Sequence, residues 1–199
     1  LQRYAERFDA VEINSSFKSP HRRGTYERWR DSVPEQFRFP VKMPSSVTHQ
    51  HRLVECEELL DEFLDSVTGL GPKLGPLLVQ LPPSLAFVER IAERFFRSLR
   101  ARYGGAVVLE ARHSSWFGAG PRALTAEGRV DWVGADPAPV PGAGRPRWTH
   151  GIRYYRLHGS PRVYYSSYDG NFLYDLMDDI GDSPPGSETW CIFDNTAEG

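Results

Sequence analysis

A parallel α/β sheet, closed as a (β/α)8 TIM-type barrel, is the architecture this sequence predicts. Short apolar runs recur along the chain, and most are followed by a polar break and a helical pattern. Nearly every run also finishes on an ionisable or amide side chain. Runs without clean alternation suit strands covered on both faces, the condition of a parallel sheet. Repeated strand–helix alternation then selects a barrel or a doubly wound sheet.

Seven strands are read, in order. They are "FDAVEIN" (Phe8–Asn14), "FRFPVKM" (Phe37–Met43), "GPLLVQL" (Gly75–Leu81) and "AVVLEAR" (Ala106–Arg112). Then come "VDWVGAD" (Val130–Asp136), "IRYYRLH" (Ile152–His158) and "TWCIFDN" (Thr189–Asn195). The second to fourth lie about 30 to 40 residues apart, enough for a helical crossover and a loop. Three amphipathic stripes supply helices between them. Leu59, Leu60, Phe63, Leu64 and Val67 form the first, ended by Gly69. Val88, Ile91, Phe95 and Leu99 form the second, ending near Gly104. Leu173, Leu176, Met177 and Ile180 form the third, with Asn171 as N-cap and Gly181 as stop. "PAPVPGAGRPRW" (Pro137–Trp148) has a linker's composition, but the strand grammar resumes directly after it. It is read as a surface loop, and residues 1–199 as a single domain.

Composition narrows the function classes. Lys plus Arg is 24 and Asp plus Glu 26, a net charge of −2, which excludes a general nucleic-acid coat while leaving room for a local basic cleft. No apolar run approaches the roughly 20 residues of a membrane span, so no membrane partner is expected. Cys56 and Cys191 show neither CxxC spacing nor a disulfide framework, so both are read as reduced thiols in a cytoplasmic protein.

The strand ends carry the functional signal. Glu12 and Asn14, Lys42, Gln80, Glu110 and Arg112, Asp136, Arg156 and His158, then Asp194 and Asn195 close the seven runs. Side chains alternate along a strand, so Glu12 and Asn14 share a face, as do Glu110 and Arg112, and Arg156 and His158. In parallel α/β folds every such end lies on one side of the sheet, where barrels build their sites. Burying one charge is costly unless it is paired, so seven ends in register point to a site.

The blocks "FDAVEINSSF", "FRFPVKMPSSVTH", "LGPKLGPLLVQLPPS", "LEARHSSW", "YYRLHG", "YYSSYDG" and "FDNT" occur in that order. The series resembles the YecE-like family, also called domain of unknown function 72, from Phe8 to about Gly199. The resemblance implies an eight-stranded (β/α) barrel and a polar cluster at its mouth. Here that cluster is Glu12, Asn14, Lys42, His49, Gln80, Glu110, Arg112, Trp116, Arg156, His158 and Asn195. It implies no reaction. Family members carry an earlier Gly-rich strand and a closing helix, neither of which is found among the runs above. The expected barrel is therefore incomplete, with an exposed seam. Lys18 stands where the family commonly has an aromatic residue, and Asp194 where asparagine is usual.

Three cations at one mouth, Lys42, Arg112 and Arg156, point to an anionic, phosphate-bearing or carboxylate-bearing small molecule, with a nucleic-acid backbone as one such ligand. Trp116, Tyr164, Tyr165 and Tyr168 are placed to stack a base or sugar. Hydrolase-like acid–base chemistry is favoured. Glu110 and His158 would carry protons with Glu12 beside them, and Lys42 and Arg156 would stabilise developing charge. Asn14, His49, Gln80, Asp194 and Asn195 complete the expected binding residues. No cofactor is expected. Glu12, His49, Glu110, Asp136 and His158 are ligand types a divalent metal accepts, but neither HExxH nor DxH spacing marks a site. Two alternatives use the same mouth. One is a non-catalytic binder of a metabolite or oligonucleotide, and the other a glycoside hydrolase built on Glu12 and Glu110. GxSxG, GxxxxGK[ST] and GxGxxG are absent, which excludes those templates.

Overall fold

The structure, a computed structural model, describes residues 1–182 and 186–195. Its sheet has six parallel strands in sequence order: β1 (Phe39–Lys42), β2 (Leu74–Gln80), β3 (Val107–Glu110), β4 (Asp131–Asp136), β5 (Ile152–Leu157) and β6 (Glu188–Phe193). The run Phe8–Asn14 is not a continuous strand. It lies parallel to β1 and touches it through bridges at Ala10–Arg38 and Ile13–Val41. Val11 and Ile13 donate their N–H groups to the carbonyls of Arg38 (3.2 Å) and Pro40 (2.8 Å). Pro40 has no N–H to return, which interrupts that ladder and accompanies the register shift of β1 against β2.

The expected parallel α/β sheet is present and open at a seam, but the strand count is corrected from seven to six: the described residues form a six-stranded sheet curled into a half-barrel. The curl follows from one contact. Five strand steps separate the Phe8–Asn14 segment from β5, about 24 Å in a flat sheet, yet Glu12 and Arg156 meet at 2.7 Å. A groove of about 450 Å³ separates the two edges, lined by Asp9, Ala10 and Arg38 on one side and Thr189, Trp190 and Ile192 on the other.

Helices α1 (Gln2–Ala5), α2 (Arg23–Asp31), α3 (Glu57–Val67), α4 (Glu89–Arg102), α5 (Ala119–Glu127) and α6 (Gly170–Gly181) accompany the strands. The main core lies between sheet and helices. It includes Leu60, Phe63 and Val67 of α3 and Phe95, Phe96 and Leu99 of α4, packed on outward residues such as Leu77, Val79 and Leu109. A smaller core fills the curl, built from Leu78, Val108, Val133, Ala135, Tyr154 and Trp190. The third stripe is a correction: no residue of α6 is buried, and Tyr174 and Met177 are largely exposed. Its N-cap is Asp169, whose carboxylate accepts from the Phe172 N–H at 2.9 Å, and not Asn171.

The segment 137–148 folds back along β4, where Trp132 pairs antiparallel with Arg147 and Ala135 donates to the Ala143 carbonyl. Gly134 permits this approach, since a Cβ there would fall 2.6 Å from the Pro146 ring and 2.7 Å from the Gly144 carbonyl. Among the described residues no helix is long and apolar enough to cross a membrane.

Candidate active site

Period two along each strand builds the site. The inward residues Ala10, Leu78, Val108, Tyr154 and Ile192 belong to the apolar filling of the curl. Two positions further on stand Glu12, Gln80, Glu110, Arg156 and Asp194, forming a polar layer on that floor. Gln80 and Glu110 are register partners, and the Gln80 amide donates to both Glu110 oxygens at 3.0 Å.

Arg156 ties the layer together and is buried with its carboxylates. Its Nη1 donates to Glu110 Oε2 at 2.6 Å, its Nη2 to Glu12 Oε1 at 2.7 Å and its Nε to Glu12 Oε2 at 3.1 Å. Tyr154 rises from the floor and donates its hydroxyl to Glu12 at 2.6 Å. Arg112 closes on Glu110 Oε1 through Nε (2.9 Å) and Nη2 (2.6 Å). Burial alone would raise the Glu110 carboxyl, but His158, Arg156 and Arg112 outweigh it and hold the group well below the ordinary carboxylate range.

His158 forms a second unit. Its Nδ1 meets Asp194 Oδ2 at 3.0 Å, while Nε2 faces Glu110 Oε1 at 3.7 Å, beyond hydrogen-bond length. Burial would lower the imidazole, yet Asp194 and Glu110 raise it above its ordinary value. Asn14 lies 3.4 Å from Arg156 Nη2, at the edge of the same network. A cleft of about 260 Å³ opens above, lined by Glu110, Arg112 and His158 with Pro83, Pro137 and Val163.

Lys42 and His49 share the Phe17 ring. The Lys42 ammonium sits over the Phe17 ring at 4.1 Å from its centroid, and Phe17 meets the His49 imidazole edge-on at 4.8 Å. Burial, then the Arg156 guanidinium, bring the Lys42 ammonium down to about 8. Burial, Lys42 and Arg112 likewise hold His49 below its ordinary value.

Other expected residues stand elsewhere. Trp116 is 1% exposed, gives its indole N–H to the Leu85 carbonyl at 2.9 Å and packs edge-on against Phe87, so its ring is core and offers no stacking face. Tyr168 donates to Asp136 at 2.7 Å and stacks on Phe172 at 4.1 Å, fixed within the loop. Tyr164 is 46% exposed with its ring edge-on to His158 at 5.8 Å. Asn195 donates to the Ser166 carbonyl at 2.9 Å, bracing that loop. Phe17, Tyr154 and the 137–139 turn were not expected at the mouth. Tyr154 is legible in hindsight, two residues before Arg156 on the same face. Among the described residues, no group of three or more His, Cys, Asp or Glu side chains converges to hold a metal ion.

A family model described as "Protein of unknown function DUF72" matches residues 1–199. The chain belongs to the DUF72 family. It is 32% identical over 126 residues to the UPF0759 protein YecE of Escherichia coli K12, covering 63% of this chain and 46% of that protein. It is 33% identical over 125 residues to the UPF0759 protein YunF of Bacillus subtilis, covering 59% and 44%. The matched regions thus span less than half the length of these curated relatives. The fold is similar to a DUF72 crystal structure from Enterococcus faecalis, with TM-score 0.80 and 21% identity over 99% of this chain and 86% of that one. A DUF72 structure from Thermotoga maritima gives TM-score 0.77 at 22% identity, covering 96% and 80%. In DUF72 terms, the quoted blocks supply the inner polar layer from "VEIN", "VQL", "LEAR", "RLH" and "FDN", and the loop-side imidazole from "SVTH".

Proposed function

We propose that the mouth binds a small phosphate-bearing or carboxylate-bearing molecule and performs acid–base chemistry on it through His158. The observation carrying this reading is the charge count of the inward layer. Three carboxylates (Glu12, Glu110, Asp194) face Arg112, Arg156, Lys42 and an imidazole raised toward its charged form. With His158 protonated the count is three against four, and Glu110, Arg112 and His158 of that set line a cleft of about 260 Å³.

Roles divide by accessibility. Arg156 is enclosed by Glu12 and Glu110, so it positions the carboxylates and does not reach ligand. Arg112 is 32% exposed and keeps donor capacity after pairing with Glu110, so it takes the anion. Glu110 stays ionised and saturated with donors, which suits a fixed charge better than a proton carrier. Asp194 orients His158, which moves the proton. A glycoside hydrolase fits less well, because one guanidinium already fills the space between Glu12 and Glu110. The two free thiols, Cys56 and Cys191, fit a reducing cytoplasm.

Thermal unfolding with inorganic phosphate tests the binding reading. A Kd of about 1 mM raises Tm by about 3–6 °C at about 10 mM phosphate, and Arg112→Ala removes the effect. An unchanged Tm overturns the anion site. Phosphate protection without turnover of any phosphate ester or carboxylate substrate leaves the mouth a binder and removes the catalytic part.

A further inference from the structure

We infer that Lys42 is a nucleophilic amine that condenses with the carbonyl of an aldehyde or ketone bearing a carboxylate or phosphate, forming an imine at the mouth. This rests on the anionic-ligand reading above, with Arg112 taking the anion while Lys42 takes the carbonyl carbon.

The first support is the pairing pattern. Arg112, Arg156 and His158 each make ion pairs with mouth carboxylates, whereas among the described residues no hydrogen bond or ion pair joins the Lys42 ammonium, which rests on the face of Phe17. The second is composition. The chain has three lysines, Lys18, Lys42 and Lys73, among 24 Lys plus Arg. The ion pairs of the described residues use arginine or histidine as the cation. Arginine cannot shed its proton under physiological conditions and lysine can. Lys73 is spent on structure, its ammonium donating to the carbonyls of Arg30 and Val33 at 2.6 Å. Lys18 is exposed. Among the described residues the only inward lysine therefore sits at the end of β1, where an arginine would have served as a charge alone.

The surroundings suit the chemistry. Burial and Arg156 bring the ammonium to about 8, so about a tenth is free amine at pH 7, far more than for an ordinary lysine. His49, held by Thr48 at 2.8 Å and kept below its ordinary value, meets the same Phe17 ring that carries the ammonium. The amine lone pair attacks the carbonyl carbon, the C–N bond forms and the π pair moves to oxygen. The nitrogen releases one proton, relayed by His49. The oxygen leaves as water with that proton and a second from the His158 imidazolium, which solvent restores, as the C–O bond breaks and the nitrogen lone pair closes C=N. One amine, one carbonyl and one proton thus give a protonated imine and one water.

Reductive trapping tests this on the unmodified protein. Glyoxylate with sodium cyanoborohydride at neutral pH converts a reacting lysine to carboxymethyl-lysine, and peptide mass mapping resolves the three lysines. We expect Lys42 to be labelled about ten-fold or more faster than Lys18, and about 10 mM inorganic phosphate to slow Lys42 alone. Labelling of Lys42 no faster than Lys18 overturns the imine, and does so cleanly if phosphate still protects the fold against heat. Propionaldehyde, which has no anionic group, separates the two readings. Equal selectivity for Lys42 with propionaldehyde and glyoxylate retains the nucleophile and overturns the anion pairing.

Discussion

Glu12, from the segment before β1, and Arg156, from β5, share two hydrogen bonds inside 3.2 Å, so one ion pair spans the open side of the curl. Tyr154 supports the same carboxylate from below. Removing one member of a buried pair leaves the other uncompensated, at a cost of about 3–5 kcal/mol. Glu12→Gln is expected to lose that much stability in urea denaturation. A loss under about 1 kcal/mol would mean that packing alone holds the curl.

Stability should form a plateau in mildly acidic solution. Glu110 is depressed in the folded state, so its contribution is present above its unfolded pKa of about 4.3 and is lost as pH falls through the folded value. His158 is raised, so its contribution is present below about 6.5 and is lost as pH rises through the folded value. Urea midpoints between pH 5 and 8 should decline on the alkaline side in the parent protein. His158→Gln should flatten that limb; a limb of undiminished slope would assign it to another group.

Lys42 has the opposite sign. Its folded value of about 8 lies below that of a free lysine, so the protonated form is disfavoured by folding and stability rises with pH between about 8 and 10.4. Lys42→Met should raise stability by about 1–2 kcal/mol at pH 7 while weakening phosphate protection. Lower stability in this variant would show that the ammonium helps hold the mouth together.

Asp194→Asn removes the negative partner of His158 Nδ1. The imidazole titration, followed by NMR, should move to lower pH because burial then acts against the charged form with less opposition. An unmoved titration would assign the elevated value to Glu110 alone.

Trp116→Phe keeps most of the apolar volume and strands the Leu85 carbonyl, at a cost of about 1–3 kcal/mol. Phosphate protection should be unchanged, since the ring is buried away from the cleft. A lost phosphate response would return Trp116 to the ligand site.

The strands were legible because a sheet covered on both faces leaves long apolar runs, and the inward polar layer followed from period two. Glu12, Glu110, Arg112, Arg156 and His158 do share one network. What one-dimensional reading missed depends on partners across space. Pro40 lies in β1 but breaks the ladder of its neighbour, the Phe8–Asn14 run. Helix α2 buries only Tyr26, and α5 carries Pro121, so neither shows a wide apolar stripe. The α6 stripe is real as a pattern but meets no core. Trp116 and Tyr168 read as ligand-stacking rings in the sequence because an aromatic near a strand end looks alike whether it faces a cleft or a helix.

The Glu12–Arg156–Glu110 clasp joins two demands that most proteins keep apart. At these positions inheritance cannot trade shape against chemistry: a drifted Arg156 would unroll the sheet in the same stroke that scatters the charges. Descendants that still fold would therefore keep a recognisable mouth, and repurposing should proceed through the peripheral Lys42, His49 and Arg112 while the clasp stays fixed.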